Sequence, residues 1–308
     1  MVRSEDAEDA EGADPGWFTA VSADETRRPS LAPDGLSRRA VLLAGGMATA
    51  AALAPSMGSG SAVASARAVG VPGATCLTLT PEQIEGPYYL DAGLLRTDIT
   101  GGKAGVPLDL RLRVVDVQSC APVRGAAVDI WHCDALGVYS GYIRDGNGVG
   151  DRPQSTDVAP VSGPVDPAAE IPHEQPTDHE TFLRGTQLTD RDGFVRFRTI
   201  IPGWYDGRAV HIHTKVRIGE IADRKRSVAR GGHCCHTGQL YIADDVVRAL
   251  AKIAPYNTDR AEPTLLAQDS YFPHGGSAGL LRLGFVPKHT RSVVESSMTM
   301  GIDPSRKR

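Results

Sequence analysis

The stretch Leu108-Asp109-Leu110-Arg111-Leu112-Arg113-Val114 alternates apolar and charged residues without a break. Because successive side chains of a β-strand point to opposite faces, this period of two predicts a strand with one buried and one solvated face. Five other segments are interpreted as strands separated by turns: residues 127–132, 194–200, 210–218, 239–243 and 280–286. With a helix capped by Asp244, the pattern predicts an all-β-dominated chain, a β-sandwich with long loops and one or two short helices.

Composition and charge narrow the function classes. The chain has 308 residues, of which 41% are hydrophobic, and its 34 glycines and 21 prolines suit a turn-rich β protein. Of its 33 Lys and Arg and 37 Asp and Glu, residues 1–66 hold 5 and 9, so the remainder carries 28 of each sign. A neutral body argues against nucleic-acid binding, which needs a basic face.

Residues 1–66 are predicted to be a twin-arginine export signal. The pair Arg38-Arg39 precedes an uncharged, Ala- and Gly-rich stretch over 40–66, which ends in small residues suited to cleavage. The alternative, a membrane anchor, is disfavoured because the glycines keep the stretch weakly apolar. We therefore expect an exported protein, extracellular or in the cell envelope, without stable membrane insertion after cleavage.

The rest of the chain is predicted to form one β-sandwich domain over 67–290, followed by a disordered tail over 291–308. A long polar segment over 144–180 is interpreted as a loop. Five cysteines occupy positions 76, 120, 133, 234 and 235. Some of them can pair outside the cell, and the odd number leaves at least one unpaired within the chain.

The candidate functional residues begin with His211 and His213. They lie two apart in the predicted strand over 210–218, so their side chains share one face while Ile212 and Val216 turn to the other. This spacing is common in metal sites of β proteins, although two exposed histidines would give the same pattern.

Two tyrosines make the metal interpretation more specific. Tyr205 follows a Pro-Gly-Trp turn six residues before His211, and Tyr139 ends a segment that begins at Trp131. Phenolates are hard, anionic oxygen donors that favour a ferric over a ferrous ion. Taken singly, each tyrosine would be interpreted as a packing residue at the rim; together with two imidazoles they suggest an Fe(III) site.

The chain resembles the intradiol ring-cleavage dioxygenases, which include catechol and protocatechuate dioxygenases. The resemblance runs from about Cys76 to Val286, and together with the leader it points to an exported branch of the family. It rests on six segments in order: Ile84-Glu85-Gly86-Pro87-Tyr88-Tyr89, Asp129-Ile130-Trp131-His132-Cys133-Asp134, Gly137-Val138-Tyr139, Phe182-Leu183-Arg184-Gly185, Pro202-Gly203-Trp204-Tyr205 and Arg208-Ala209-Val210-His211-Ile212-His213.

The resemblance implies a role for each matching residue. The implied ligands of Fe(III) are Tyr139, Tyr205, His211 and His213, with a solvent hydroxide as the fifth. Arg208 falls at an arginine close to the bound substrate, Gln239 at a glutamine that lines the same pocket, and Tyr88 near the wall that faces the aromatic ring. The resemblance further implies that Tyr205 is the releasable ligand that takes a substrate proton, and that the catalytic residues are Tyr205, Arg208 and Gln239.

The implied reaction is cleavage of catechol-type aromatics between the two hydroxylated carbons, with O2 as co-substrate and muconate-type diacids as products. A homo-oligomer is compatible with this interpretation. The interval between Tyr205 and His211 is shorter than in the cytoplasmic enzymes, so the rim of the pocket must differ.

Two other functions compete with this one. The first is a secreted copper or zinc β-sandwich enzyme, in which His233 and His236 join His211 and His213, with Cys234 or Cys235 as a further ligand; the segment around His233 is otherwise interpreted as a loop. The second is a carbohydrate- or partner-binding sandwich without metal. For Arg208 a surface salt bridge, and for Gln239 a structural hydrogen bond, are the simpler alternatives.

Overall fold

The computed structural model describes residues 78–146, 166, 169, 171–223, 225–288 and 291–307, which belong to one compact unit over Gly73–Arg308. The export signal predicted over 1–66 and Cys76 lie outside the described residues, as does most of the predicted loop over 144–180. None of the described helices is long and apolar enough to cross a membrane.

Eight strands form two four-stranded sheets, with strand orders β4-β1-β8-β7 and β3-β2-β5-β6. The strands are β1 (Pro107–Asp116), β2 (Ala127–Trp131), β3 (Arg184–Leu188), β4 (Phe194–Ile200), β5 (His211–Asp223), β6 (Val228–Tyr241), β7 (Gly284–Lys288) and β8 (Arg291–Ile302). One α-helix, α1 (Asp244–Leu250), and three 3₁₀ turns (Tyr256–Thr258, Leu266–Gln268 and Gly276–Gly279) complete the described elements. The predicted strand-dominated sandwich is confirmed.

Strand β1 provides the centre of the core, as its alternation predicts. Leu108, Leu110, Leu112 and Val114 are fully buried, while the charged residues between them reach the outer face. Burying an aliphatic side chain of this size stabilises the fold by about 1.5–3 kcal/mol.

The predicted disordered tail is wrong, and so is the domain end at residue 290. Residues 291–302 form β8, which pairs in parallel with β1 from Leu108–Val294 to Asp116–Ile302. Val294, Met300 and Ile302 are buried against the core. The strand was not predicted because its other inward positions are Ser296 and Met298, which weaken the alternating apolar pattern.

Strands β5 and β6 form a hairpin longer than predicted. The expected strand over 239–243 begins at Val228, so the segment around His233 lies in a strand and not in a loop. Gly231 and Gly232 both have positive φ, yet the ladder runs from Ile218–His233 on to Glu220–Gly231. A register shift between Val216 and Arg217 absorbs one extra residue of β6.

Two smaller predictions also need correction. The strand predicted over 280–286 lies at 284–288, after a 3₁₀ turn over 276–279. Helix α1 begins as expected, but its N-cap is Ala243, without a side-chain cap, and Asp244 instead accepts the backbone N–H of Leu266.

The described cysteines fall into two kinds. Cys120 is disulfide-bonded, whereas Cys133, Cys234 and Cys235 are free thiols. Thus Cys234 and Cys235 do not bridge each other, in agreement with the strain expected of so small a ring.

Candidate active site

His211 and His213 share one face of β5, and their Nε2 atoms lie 3.0 Å apart. Both side chains are buried, while Ile212 and Val216 fill the core on the opposite face. The alternation of the strand therefore places two imidazoles together below the surface, which excludes the alternative of two exposed histidines.

Both imidazoles are held in the neutral form. The Nδ1 of His211 donates to the carbonyl of Ala209 at 2.6 Å, so its Nε2 carries a lone pair directed into the site. Burial, and then the charge of Arg208, lower the pKa of His211 to about 3; burial and His211 likewise lower the pKa of His213. The ring of His213 stacks on Trp131, with centroids 4.9 Å apart.

Tyr205 reaches the same point from the turn before β5. Its hydroxyl lies 3.4 Å from Nε2 of His211 and its ring is half-buried. The turn is fixed from both sides, because Tyr205 and Arg208 form a β-bridge and Trp204 donates to the carbonyl of Ala261 at 2.6 Å.

Tyr139 enters from the loop after β2. Asp134 shapes this loop by accepting the N–H groups of Leu136 and Val138, each at 3.0 Å. The Tyr139 ring is buried, with centroids 5.9 Å from Tyr205 and 6.2 Å from His213. The structure thus brings together the four side chains that the sequence singled out as metal ligands.

The two phenols are suited to a cation. Burial, and then the neighbouring Tyr205, raise the pKa of Tyr139 well above 10; burial also raises the pKa of Tyr205. Among the described residues the Tyr139 hydroxyl has no hydrogen-bond partner, although it is fully buried. A buried, unpartnered phenol next to the Nε2 atoms of two neutral imidazoles is the arrangement that a metal ion would satisfy.

Arg208 lies beside this cluster in a buried ion pair. Its Nε donates to Asp269 at 2.8 Å, and its Nη2 donates to the Oε1 of Gln239 at 2.5 Å. Burial opposes the charge, but Asp269 outweighs it and raises the pKa of Arg208. Since both partners are buried, the alternative of a surface salt bridge is wrong.

Asp269 is the residue that sequence reasoning missed. Its Oδ2 also accepts the N–H of Ala209, and its Oδ1 accepts those of Tyr271 and Phe272, each at 2.8 Å. It therefore fixes Arg208 and the start of β5 from a segment 60 residues away. An isolated Asp after a short 3₁₀ turn gives no signal of this contact in the sequence.

Gln239 lies opposite His213 on the neighbouring strand. Its amide is engaged on both sides: Oε1 also accepts Tyr241 at 2.8 Å, and Nε2 donates to the carbonyl of Ile84 at 3.0 Å. These bonds are those of a residue that holds Arg208 in place, which favours the structural alternative for Gln239.

Tyr88 and Gly86 form the other wall of the site. The Tyr88 ring packs on Tyr139 and Tyr142, with centroids 4.9 and 4.8 Å apart. Gly86 has a φ of +77°, and a Cβ at this position would lie 3.2 Å from Cε1 of His213. Only glycine avoids a close contact with the His213 ring here and adopts this backbone conformation without strain.

The histidines of the copper or zinc alternative do not join the site. His236 pairs with Val216 and His233 with Ile218, so both point to the face opposite His211 and His213. His233 lies 3.2 Å from the carbonyl of Pro304. In the part of the chain that the structure describes, no three His, Cys, Asp or Glu side chains are grouped to hold a metal.

Comparisons with known proteins give a consistent result. No family model matches the chain. A catechol 1,2-dioxygenase from Pseudomonas sp. (strain EST1001) is 29% identical over 178 residues, which cover 54% of this chain and 48% of the relative. The chain therefore spans about half the length of this curated relative.

Two solved structures match this chain over nearly the whole of their own length. An intradiol ring-cleavage dioxygenase from Tetranychus urticae is 27% identical, with a TM-score of 0.60, and the match covers 75% of this chain and 98% of that one. A second dioxygenase crystal structure, also 27% identical, has a TM-score of 0.59 and matches 75% and 97% of the two chains. In sequence and in fold, the chain is similar to intradiol ring-cleavage dioxygenases.

Proposed function

We propose that the protein is an Fe(III)-dependent intradiol dioxygenase that cleaves catechol-type aromatics between the two hydroxylated carbons, with O2, to give muconate-type diacids. The observation that carries this proposal is the convergence of two phenols and two neutral imidazoles on one buried point beside a fixed arginine. The similarity to intradiol enzymes supports the same reaction class.

The donor set fits a ferric ion. Tyr139, Tyr205, His211 and His213 would hold it, and two phenolates with one hydroxide would balance its charge. Since burial disfavours a free phenolate here, a trivalent cation is the partner that allows both phenols to ionise. When bound, a ferric ion would supply Lewis acidity toward a catechol and its reaction with dioxygen.

The two tyrosines differ in burial, and this difference supports different roles. Tyr139 is 2% exposed and packed between aromatic rings, whereas Tyr205 is half-buried at the end of a turn. We therefore infer that Tyr205 is the phenol that would take a catechol proton on its Oη. A phenol freed from a cation regains a high pKa and so retains that proton.

The remaining residues bind and orient the substrate. Arg208 is held by Asp269 and Gln239 before substrate arrives, so its positive charge can stabilise the anionic substrate without reorganisation. Tyr88 covers the cluster on the side of Tyr139, where its ring would face the aromatic ring of the substrate.

Export through the twin-arginine route is part of the proposal. The leader supplies its sequence basis, and the disulfide at Cys120 supports it, because such bonds persist in oxidising compartments. Twin-arginine export carries folded proteins, which suits a metal acquired before export.

The proposal predicts a coloured protein. Purified full-length protein loaded with Fe(III) should show a visible phenolate-to-iron band, and this band should shift when catechol is added under nitrogen. Admission of O2 should then yield a diacid that carries both atoms of labelled dioxygen. A fully iron-loaded protein with a flat spectrum that catechol does not change would contradict the proposal, and so would a ring opened outside the diol.

The variant Gly86→Ala tests whether the absence of a side chain at position 86 keeps the His213 ring in position. We expect about tenfold weaker Fe(III) binding, because the new methyl group displaces a ligand ring from its supported position. The matched control is Gly125→Ala, whose φ is also positive (+74°) but whose Cβ would meet nothing within 4 Å. Both variants should lose about 1 kcal/mol of stability from backbone strain. Equal iron affinity in the two, measured by chelator competition, would exclude the steric role.

A further inference from the structure

We propose that Arg184 is a positioning residue that fixes Tyr139 in the candidate metal site by holding its neighbour Ser140. The inference rests on the proposed function, in which Tyr139 is a ligand. It goes further because it assigns a task to a buried cation that the reaction itself does not use.

Arg184 donates hydrogen bonds to both the hydroxyl and the carbonyl of Ser140. Nε of Arg184 donates to Oγ of Ser140 at 2.9 Å, and Nη2 donates to its carbonyl at 2.7 Å. The Ser140 hydroxyl in turn donates to the carbonyl of Phe182 at 2.7 Å. Ser140 is fully buried and directly follows Tyr139, so these bonds fix the backbone from which the phenol projects.

Arg184 is a buried cation at the start of β3. The side chain is 3% exposed, and among the described residues it forms no ion pair. Its guanidinium instead lies 6.0 Å from the ring centroid of Tyr139 and 5.8 Å from that of Tyr142. Burying an unpaired cation is costly, so a neutral residue would suit the end of a strand better. The contacts that offset this cost are those to the Tyr139 segment.

The position of Arg184 in the sheet shows which parts of the site its hydrogen bonds to Ser140 connect. Arg184 begins β3 and pairs with Trp131 of β2, whose ring stacks on His213. Tyr139 comes from a loop, whereas the two histidines come from a strand of this same sheet. Arg184 therefore ties the loop-borne Tyr139 to the sheet that carries the two histidines, as a preorganised site requires.

The experiment compares four proteins: wild type, Arg184→Met, Arg184→Lys and Arg198→Met. Lys keeps the charge but loses the two-pronged contact, and Arg198 is an exposed arginine of β4 whose replacement serves as the matched control. Hydrogen exchange is measured on metal-free protein, for peptides covering residues 139–143 and β1. Fe(III) affinity and the phenolate-to-iron band are measured on loaded protein.

In Arg184→Met, amides of 139–143 should exchange about tenfold faster while those of β1 stay unchanged, because the buried hydrogen bonds to Ser140 are lost. Fe(III) should bind about tenfold more weakly, with a weaker band per iron. Arg184→Lys should fall between this variant and wild type, and Arg198→Met should match wild type. Should Arg184→Met not fold, Arg184→Lys and Ser140→Ala carry the same comparison.

Unchanged exchange over 139–143 in the Arg184 variants would overturn the inference. Equal acceleration in β1 would also overturn it, because Arg184 would then support the whole fold and not this loop. The metal-free measurement separates this inference from the proposed function. If wild type binds no iron, the function fails, while exchange still decides whether Arg184 fixes the Tyr139 segment.

Discussion

Protein carrying His211→Ala is expected to purify folded and colourless, with less than about a tenth of the wild-type iron, since an alanine supplies no ligand in place of a neutral imidazole. The Nε2 of His211 lies between Tyr205 and His213, 3.4 and 3.0 Å away, so its loss opens the centre of the cluster. Iron per protein and the visible band report the result, and catechol cleavage should fall below detection.

The control for this variant is His233→Ala. His233 belongs to β6 of the same sheet but faces the side opposite the cluster, near the carbonyl of Pro304. Iron content, colour and turnover should stay at wild-type levels. If both variants lost metal together, an all-histidine site would be correct and the ferric phenolate site would be wrong.

The second large effect is expected for Arg208→Ala. Turnover should fall about 10²–10³-fold with iron still bound, as found when a preorganised donor is removed from a developing negative charge. The variant should also be less stable by about 3–5 kcal/mol, because it leaves the Asp269 carboxylate buried without its partner. Steady-state kinetics, iron analysis and denaturant unfolding measure the three quantities.

The double variant Arg208→Ala/Asp269→Asn separates catalysis from folding. Asn at 269 removes the unpaired charge and keeps an oxygen for the N–H groups of Tyr271 and Phe272. Stability should largely return while turnover stays low. Recovery of turnover together with stability would show that Arg208 acts through the fold and not on the substrate.

Local patterns predicted the parts of the site that lie on regular strands. The alternation in β1 predicted the core strand, and the spacing of His211 and His213 placed two imidazoles on one face. Tyr205 could be anticipated because only a short turn separates it from β5.

Contacts between distant segments could not be predicted in this way. The sequence holds no sign that Asp269 would meet Arg208, because the two are joined only by the folded chain. The strand over residues 291–302 could not be predicted for a similar reason. Ser296 and Met298 give only a weak apolar pattern, and the segment becomes a strand by pairing with β1. The segment around His233 was interpreted as a loop, but hairpin pairing with β5 makes it a strand.

The place of β8 between β1 and β7 has a consequence for biosynthesis. This sheet cannot be completed until residues 291–302 have left the ribosome, so one hydrogen-bonding edge of β1 stays open while the chain between β4 and β8 is made. Such an edge, beside four large aliphatic side chains, invites pairing with other chains.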